Sequence, residues 1–209
     1  IMQKTDTKQK ILDAALDLFS VQGYEATSIS QIADAVDIRK ASLYSHFKSK
    51  QEILDALIET VLEEYNRHSV FANADWDDPA FLKTQSDVAP DAILQKILAH
   101  LRYILHDPKI KKARMLLTIE QFGNERLKAL QTKQNYTDVL RYFTGMIRFF
   151  IRSGKLVADD PQLAAAQLCL PINVWINLCD REPNREPEIM ELIERYVRRF
   201  FDQASSKIS

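Results

Sequence analysis

Glycine is scarce, with four in 209 residues. Hairpin turns and bulges draw on glycine because they need positive φ. The shortage therefore disfavours a sheet-rich fold and points to helices joined by short connections. Cysteine is scarcer still. Cys169 and Cys179 are too few for a disulfide scaffold and lack metal-ligand spacing, so a reducing, cytoplasmic setting is expected. The histidines, His46, His68, His100 and His106, form no HExxH motif and no i, i+4 pair. A glycine-rich phosphate loop and a GxSxG elbow are missing too, so an enzyme is not expected, nor a metal or cofactor. An excess of one charge is also lacking: 28 Lys and Arg against 29 Asp and Glu leave a net charge of -1. The chain as a whole is no basic nucleic-acid coat, and any DNA-binding face must be local. The longest uncharged stretch, 161–179, carries Gln162, Gln167, Pro171, Asn173 and Asn177. It reads as a buried helix rather than a membrane span, and no membrane partner is expected.

What is present is helical period. With 46% hydrophobic and 27% charged residues the bulk of the chain is globular. Ile11, Ala14, Ala15, Leu18 and Phe19 share one helix face, with Thr5–Thr7 offering caps before it and Gly23 a stop after it. A second short helix, capped by Thr27 or Ser28, turns Ile29, Ile32, Ala33 and Val36 inward. After a tight turn at Asp37, a third runs from about Arg39 to Phe47, with Leu43 and Phe47 inward. A fourth starts at Ser49, where Glu52 completes a capping box, and ends near Arg67. Between Ser69 and Pro90 the period fails amid Asn73, Asp75, Asp77, Asp78, Pro79 and Pro90, and a short helix is expected from Asp78-Pro79. Longer helices follow over about 91–106, 109–122, 126–153 (broken near Lys128), 162–180 and 187–203, with the tail from Ala204 expected to fray.

The informative block is Thr27–Lys50, TSISQIADAVDIRKASLYSHFKSK. Two short helices joined by a tight turn, braced by a longer helix, make a helix-turn-helix. From Ile38 to Lys50 the charges are Arg39, Lys40, Lys48 and Lys50, with no acid. Arg39, Ser42 and His46 lie opposite Leu43 and Phe47, on a face suited to bases and phosphates. Thr27 and Ser28 offer hydroxyls and a helix start to phosphate.

The residues Ile32-Ala33, Ile38, Ala41-Ser42-Leu43-Tyr44, His46-Phe47, Ser49-Lys50 and Ile53-Leu54, with the helix from Ile11 to Phe19 and Gly23-Tyr24, closely resemble the N-terminal signature of the tetracycline-repressor (TetR) family. The resemblance spans about residues 5–60. It implies base or nearby backbone contacts from Arg39, Lys40 and Ser42. It also implies phosphate contacts from Tyr44, His46 and Lys50, with Lys48 in the same basic face. Two departures stand out. Asp37 replaces the usual turn glycine, and Arg39 replaces a capping Ser or Thr, worth about 1 kcal/mol.

The expected fold is all-α: a three-helix DNA-binding head over 1–50, then a helical ligand-binding and dimerisation domain over 51–209. The 162–180 helix is apolar nearly all round, which calls for burial on all faces, and Pro171 should kink it. The apolar stripe Ile189, Leu192, Tyr196 and Phe200, with Trp175 and Leu178, is expected at a dimer interface, and the resemblance implies a homodimer through the same last two helices. A small uncharged or weakly polar effector is expected in a cavity lined by Tyr103, Phe122, Phe143 and Trp175, oriented by Gln121, Asn173 or Asn177. The partners are then operator DNA, a second copy and the effector. Two rival readings stay open: a ligand-independent DNA-binding regulator, and a helical carrier or enzyme with a vestigial DNA head.

Overall fold

The computed structural model describes residues 2–69, 71, 74–85 and 88–205. Asn73 and the end of the tail, 206–209, lie outside the described residues. Every long element among those described is a helix: α1 (Met2–Gln22), α2 (Ile29–Ala35), α3 (Lys40–Tyr44), α4 (Lys50–His68), α5 (Pro79–Gln85), α6 (Pro90–His106), α7 (Pro108–Glu120), α8 (Glu125–Thr132), α9 (Asp138–Arg152), α10 (Pro161–Arg181) and α11 (Glu186–Ser205). A π-helical turn, Lys133–Thr137, joins α8 to α9, and a 3₁₀ turn, Pro183–Arg185, joins α10 to α11. The break expected near Lys128 is thus a π turn five residues later. α1 also begins earlier than expected, so residues 5–7 lie within it and not at its start.

The chain forms two compact units, Ile1–His68 with Asp107–Gln131, and Ser69–His106 with Thr132–Ser209. The first contains the whole 1–50 head and adds the rest of α4, α7 and most of α8. Its core joins Ile11, Ala15 and Phe19 of α1 to Ile32, Leu43, Phe47, Ile53 and Leu54, and to Leu116 and Leu117 of α7. Leu12 and Leu16 are buried as well, whereas Ala14 and Leu18 are half-buried. α1 has a wider apolar face than a three-helix head needs, because α7 lies along it. Gly23 ends α1 at φ 86°, and its N–H donates to Phe19 O at 3.0 Å.

In the second unit α9 packs chiefly on α10, and α11 packs on α6 and α10. Phe143, Met146, Ile147 and Phe150 form the core stripe of α9. Ile189, Ile193, Val197 and Phe201, four residues apart, form that of α11. α10 departs from the expectation of burial all round. Ala165, Leu168, Cys169, Ile172, Ile176 and Cys179 are buried, but Leu163 is 56% and Val174 63% exposed. The helix is long and apolar enough to cross a membrane by composition. Its neighbours in the unit cover one side, and Ala166, Leu170, Pro171 and Trp175 extend the uncovered apolar face. The helix runs unbroken through Pro171, which lies on that face.

Candidate nucleic-acid interface

Short polar contacts hold the two helices of the Thr27–Lys50 block in place. Ser28 caps α2: its Oγ accepts from Gln31 N at 3.2 Å, while Gln31 Oε1 accepts from Ser28 N at 2.8 Å. The turn after α2 closes with Ile38 N donating to Ala33 O at 3.0 Å. It requires a left-handed residue, and Asp37 supplies it at φ 54°. Arg39 occupies the N-cap of α3 with extended backbone and no capping side chain, so its guanidinium is left to solvent. Ser49 Oγ accepts from Glu52 N at 3.1 Å at the start of α4, and the Glu52 carboxylate reaches Lys48 N at 2.5 Å.

Leu43 and Phe47 anchor α3 in the core, so its other face is outward. Lys40, Ser42 and Tyr44 of α3, Arg39 at its N-cap and Lys48 in the segment after it are all exposed. Among the described residues the side chains of Arg39, Lys40 and Lys48 have no ion-pair or hydrogen-bond partner. Elsewhere in this unit Lys10, Lys109, Lys112 and Arg126 each face a carboxylate, of Asp6, Asp13, Asp17 and Asp55. The basic run at 109–112 is therefore largely internally neutralised, whereas α3 presents unpaired cations. Lys8, which the sequence did not single out, comes from α1 to 5.1 Å from the Phe47 ring and adds a cation beside this surface. No sequence spacing could have flagged it, because α1 and α3 meet only in the fold.

Three of the expected DNA contacts are placed differently. Thr27 is 1% exposed; its hydroxyl donates to Gly23 O at 2.8 Å and accepts from Gln22 Nε2 at 3.0 Å, so it braces the turn instead of facing phosphate. Lys50 folds back over the Tyr24 ring, 4.2 Å from its centroid, and donates to Tyr24 O at 2.7 Å, Thr27 O at 3.0 Å and Glu25 O at 3.4 Å. Its ammonium protons are used inside the head. His46 is half-buried with Nδ1 enclosed, leaving only part of the ring to the surface. Beneath the same turn, the buried Glu120 of α7 accepts from Tyr24 N at 2.7 Å.

The expected effector and dimer residues are scattered. Phe122 is 90% exposed in the turn after α7, a position with no wall around it, and it belongs to the first unit. Phe143 and Tyr103 belong to a buried ring cluster with Phe71, His100 and Tyr142. Trp175 packs edge-on against Tyr196, 5.1 Å away. Gln121 bonds Thr118 O, Asn173 bonds Asn135 O, and Asn177 is exposed. None of the four aromatics lines a cavity of about 650 Å³ that runs along α9 in the second unit and whose walls include three arginines. Ile189 is 1% exposed within its own chain, because its stripe faces α6 and α10, and it cannot meet a partner. Leu178, Leu192, Tyr196 and Phe200 are half-buried. Among the described residues no group of His, Cys, Asp and Glu is placed to hold a metal ion.

The family model for bacterial regulatory proteins of the tetR family matches residues 11–57. The icaADBC biofilm-operon negative transcriptional regulator IcaR of Staphylococcus epidermidis is 33% identical over 149 residues, 60% of this chain and 80% of that protein. Its Staphylococcus aureus counterpart is 44% identical over 59 residues, 28% of this chain and 32% of that protein. Among solved structures, MexZ, a repressor responsible for antibiotic resistance in Pseudomonas aeruginosa, has a TM-score of 0.69 at 22% identity over 94% of both chains. SmeT of Stenotrophomonas maltophilia, in its triclosan complex, has a TM-score of 0.62 at 20% identity, covering 98% of this chain and 94% of its own. At such identities these two likenesses bear on the fold alone.

Proposed function

Because the chain belongs to the tetR family of bacterial regulatory proteins, DNA-binding transcriptional regulators, we propose that it is a homodimeric repressor released from a palindromic operator by a small-molecule effector. Residues 1–50 read the operator, with α7 and α8 backing them, and the remainder of 51–209 dimerises and senses. The observation that carries the reading is the exposed surface of α3 and its flanking residues, where Arg39, Lys40 and Lys48 stand without partners alongside exposed Ser42 and Tyr44. Unpaired guanidinium and ammonium groups on a narrow convex helix suit a major groove lined by phosphates.

The uncovered face of α10, from Leu163 to Trp175, supports the dimer. Trp175 meets Tyr196, whose hydroxyl bonds Gln167 O, so this face continues onto α11. A twofold dimer presents two α3 helices to successive major grooves about 34–36 Å apart. The effector binds the form with wrongly spaced heads, and by linkage operator DNA weakens effector binding by the same factor. The chain passes between the two units after His68, His106 and Gln131, which gives the signal three covalent routes.

Selection of bound duplexes from a random pool tests the proposal, followed by fluorescence anisotropy on the enriched site. Two inverted half-sites are expected. Arg39→Ala should weaken the enriched site by roughly tenfold or more, for a contact of about 1–3 kcal/mol. Failure of the wild-type chain to enrich any sequence overturns the DNA reading, and enrichment of a single half-site overturns the dimer.

A further inference from the structure

We propose that the groove along α9 is the effector site and that it takes a planar aromatic monoanion, a carboxylate carried on one or two fused rings. The inference rests on the ligand-responsive reading above and supplies the class of ligand. The groove holds about 650 Å³, within the roughly 300–1,000 Å³ of small-molecule sites.

Its charge comes from one stripe of α9, Arg141, Arg148 and Arg152, at i, i+7 and i+11. A basic helix face ordinarily lies open to solvent or paired with acids. Here the loop around Trp76 makes it concave, and Arg148 and Arg152 have no ion-pair or hydrogen-bond partner among the described residues. Arg141 lies 3.4 Å from the buried Asp138, which Lys133 also pairs and can neutralise alone. A guanidinium matches a carboxylate in a two-pronged arrangement that an ammonium lacks. Two aspartates, Asp75 and Asp77, line the other wall. Three arginines against two aspartates leave one net positive charge, which suits a monoanion and disfavours a polyphosphate.

The flat wall comes from Trp76 and Phe149, 5.8 Å apart and tilted by 42°. Trp76 lies directly against the α9 backbone because residue 145 is glycine: a Cβ there would stand 2.5 Å from the indole Cγ. A ring stacked on this wall brings its carboxylate to the neighbouring Arg148 and Arg152. The far end of the groove is the π turn, through Tyr136 and Thr137. That turn directly follows the passage of the chain from the first unit after Gln131. A ligand touching it therefore acts on the segment leading to the DNA-binding unit, and wide turns of this kind recur at functional sites.

Titration calorimetry on the 209-residue chain with 2-naphthoate, 2-naphthamide and ATP, with benzoate as a smaller acid, tests this. The acid should bind about tenfold tighter than its neutral amide, the margin of a charge-assisted pair. Arg148→Gln with Arg152→Gln should abolish that preference while leaving amide and operator binding unchanged. Gly145→Ala should weaken acid and amide alike by displacing Trp76. The proposal is overturned if neither acid binds, if acid and amide bind equally, if the preference survives the double substitution, or if ATP binds tighter than naphthoate. Parallel operator titrations separate the two readings. Naphthoate bound as expected without operator release leaves this site standing and removes the ligand-responsive repressor; intact operator binding with no bound acid does the reverse for the site.

Discussion

Lys50 and Lys48 sit two residues apart in a basic run, yet the fold gives them different work. Lys50 ties three carbonyls around the α1–α2 turn, whereas Lys48 projects free. Lys48→Ala should lower the slope of log affinity against log salt by about 1 for every duplex, with stability unchanged. Lys50→Met should instead lower unfolding stability by about 2 kcal/mol, the range of hydrogen bonds from a charged group. Salt-series anisotropy and urea denaturation of both variants check this, and exchanged phenotypes would refute it. His100 makes a separate residue-scale case. Burial beside Phe71 and Tyr103 lowers its pKa from 6.5 to about 4. Its folded form stays neutral where the unfolded chain protonates, so its contribution is present above pH 6.5 and is lost as pH falls from 6.5 toward 4. The loss totals about 3 kcal/mol. Urea midpoints measured between pH 7.5 and 4 should fall more steeply for wild type than for His100→Gln.

At the scale of elements, α2 and α3 are short and depend on their ends. Asp37 holds a left-handed conformation at φ 54°, which most L-residues adopt only at about 1–2 kcal/mol. Asp37→Gly should raise head stability by up to about 1 kcal/mol, read as a higher urea midpoint, with little change in affinity at the enriched operator. The α1–α2 turn is held from below by Glu120 of α7, which accepts from Tyr24 N. Glu120→Ala leaves that buried N–H without an acceptor and should cost about 1–3 kcal/mol by urea denaturation. Hydrogen exchange at Tyr24 should rise with it, and an unchanged rate would remove the clasp. Elements with strong punctuation were legible in advance: Ser28, Gly23, Gly154 and the Asp-Pro pairs at 107–108 and 160–161 mark helix ends where the structure has them. The π turn at Lys133–Thr137 was not, because an extra residue in a helical turn leaves the apolar period nearly intact on both sides.

At the scale of the whole molecule, the exposed apolar face of α10 should be where two copies meet. Val174→Glu replaces a side chain 63% exposed in the monomer, so the fold should survive while a charge buried in an apolar interface costs several kcal/mol. Sedimentation should show a monomer with unchanged helical content. A variant that still sediments as a dimer would move the interface away from α10. Ile189→Glu offers the contrast: as a core residue of the single chain it should unfold the second unit before it affects assembly.

The helix-turn-helix was readable from sequence because its determinants are local. Caps, a turn residue, inward apolar pairs and outward cations all lie within Thr27–Lys50, and helical geometry alone sets which share a face. Helix positions after residue 90 were readable for the same reason. What only the tertiary structure decided depends on residues far apart in sequence. It placed α7 under α1, folded Lys50 onto the carbonyls of residues 24–27, and turned Ile189 inward while leaving Val174 out. It also dispersed the four aromatics expected around one pocket, and it set Arg141, Arg148 and Arg152 along a groove on α9. An apolar residue's period says that it is buried somewhere; whether a core, a partner or a ligand covers it is set by which helices pack beside it.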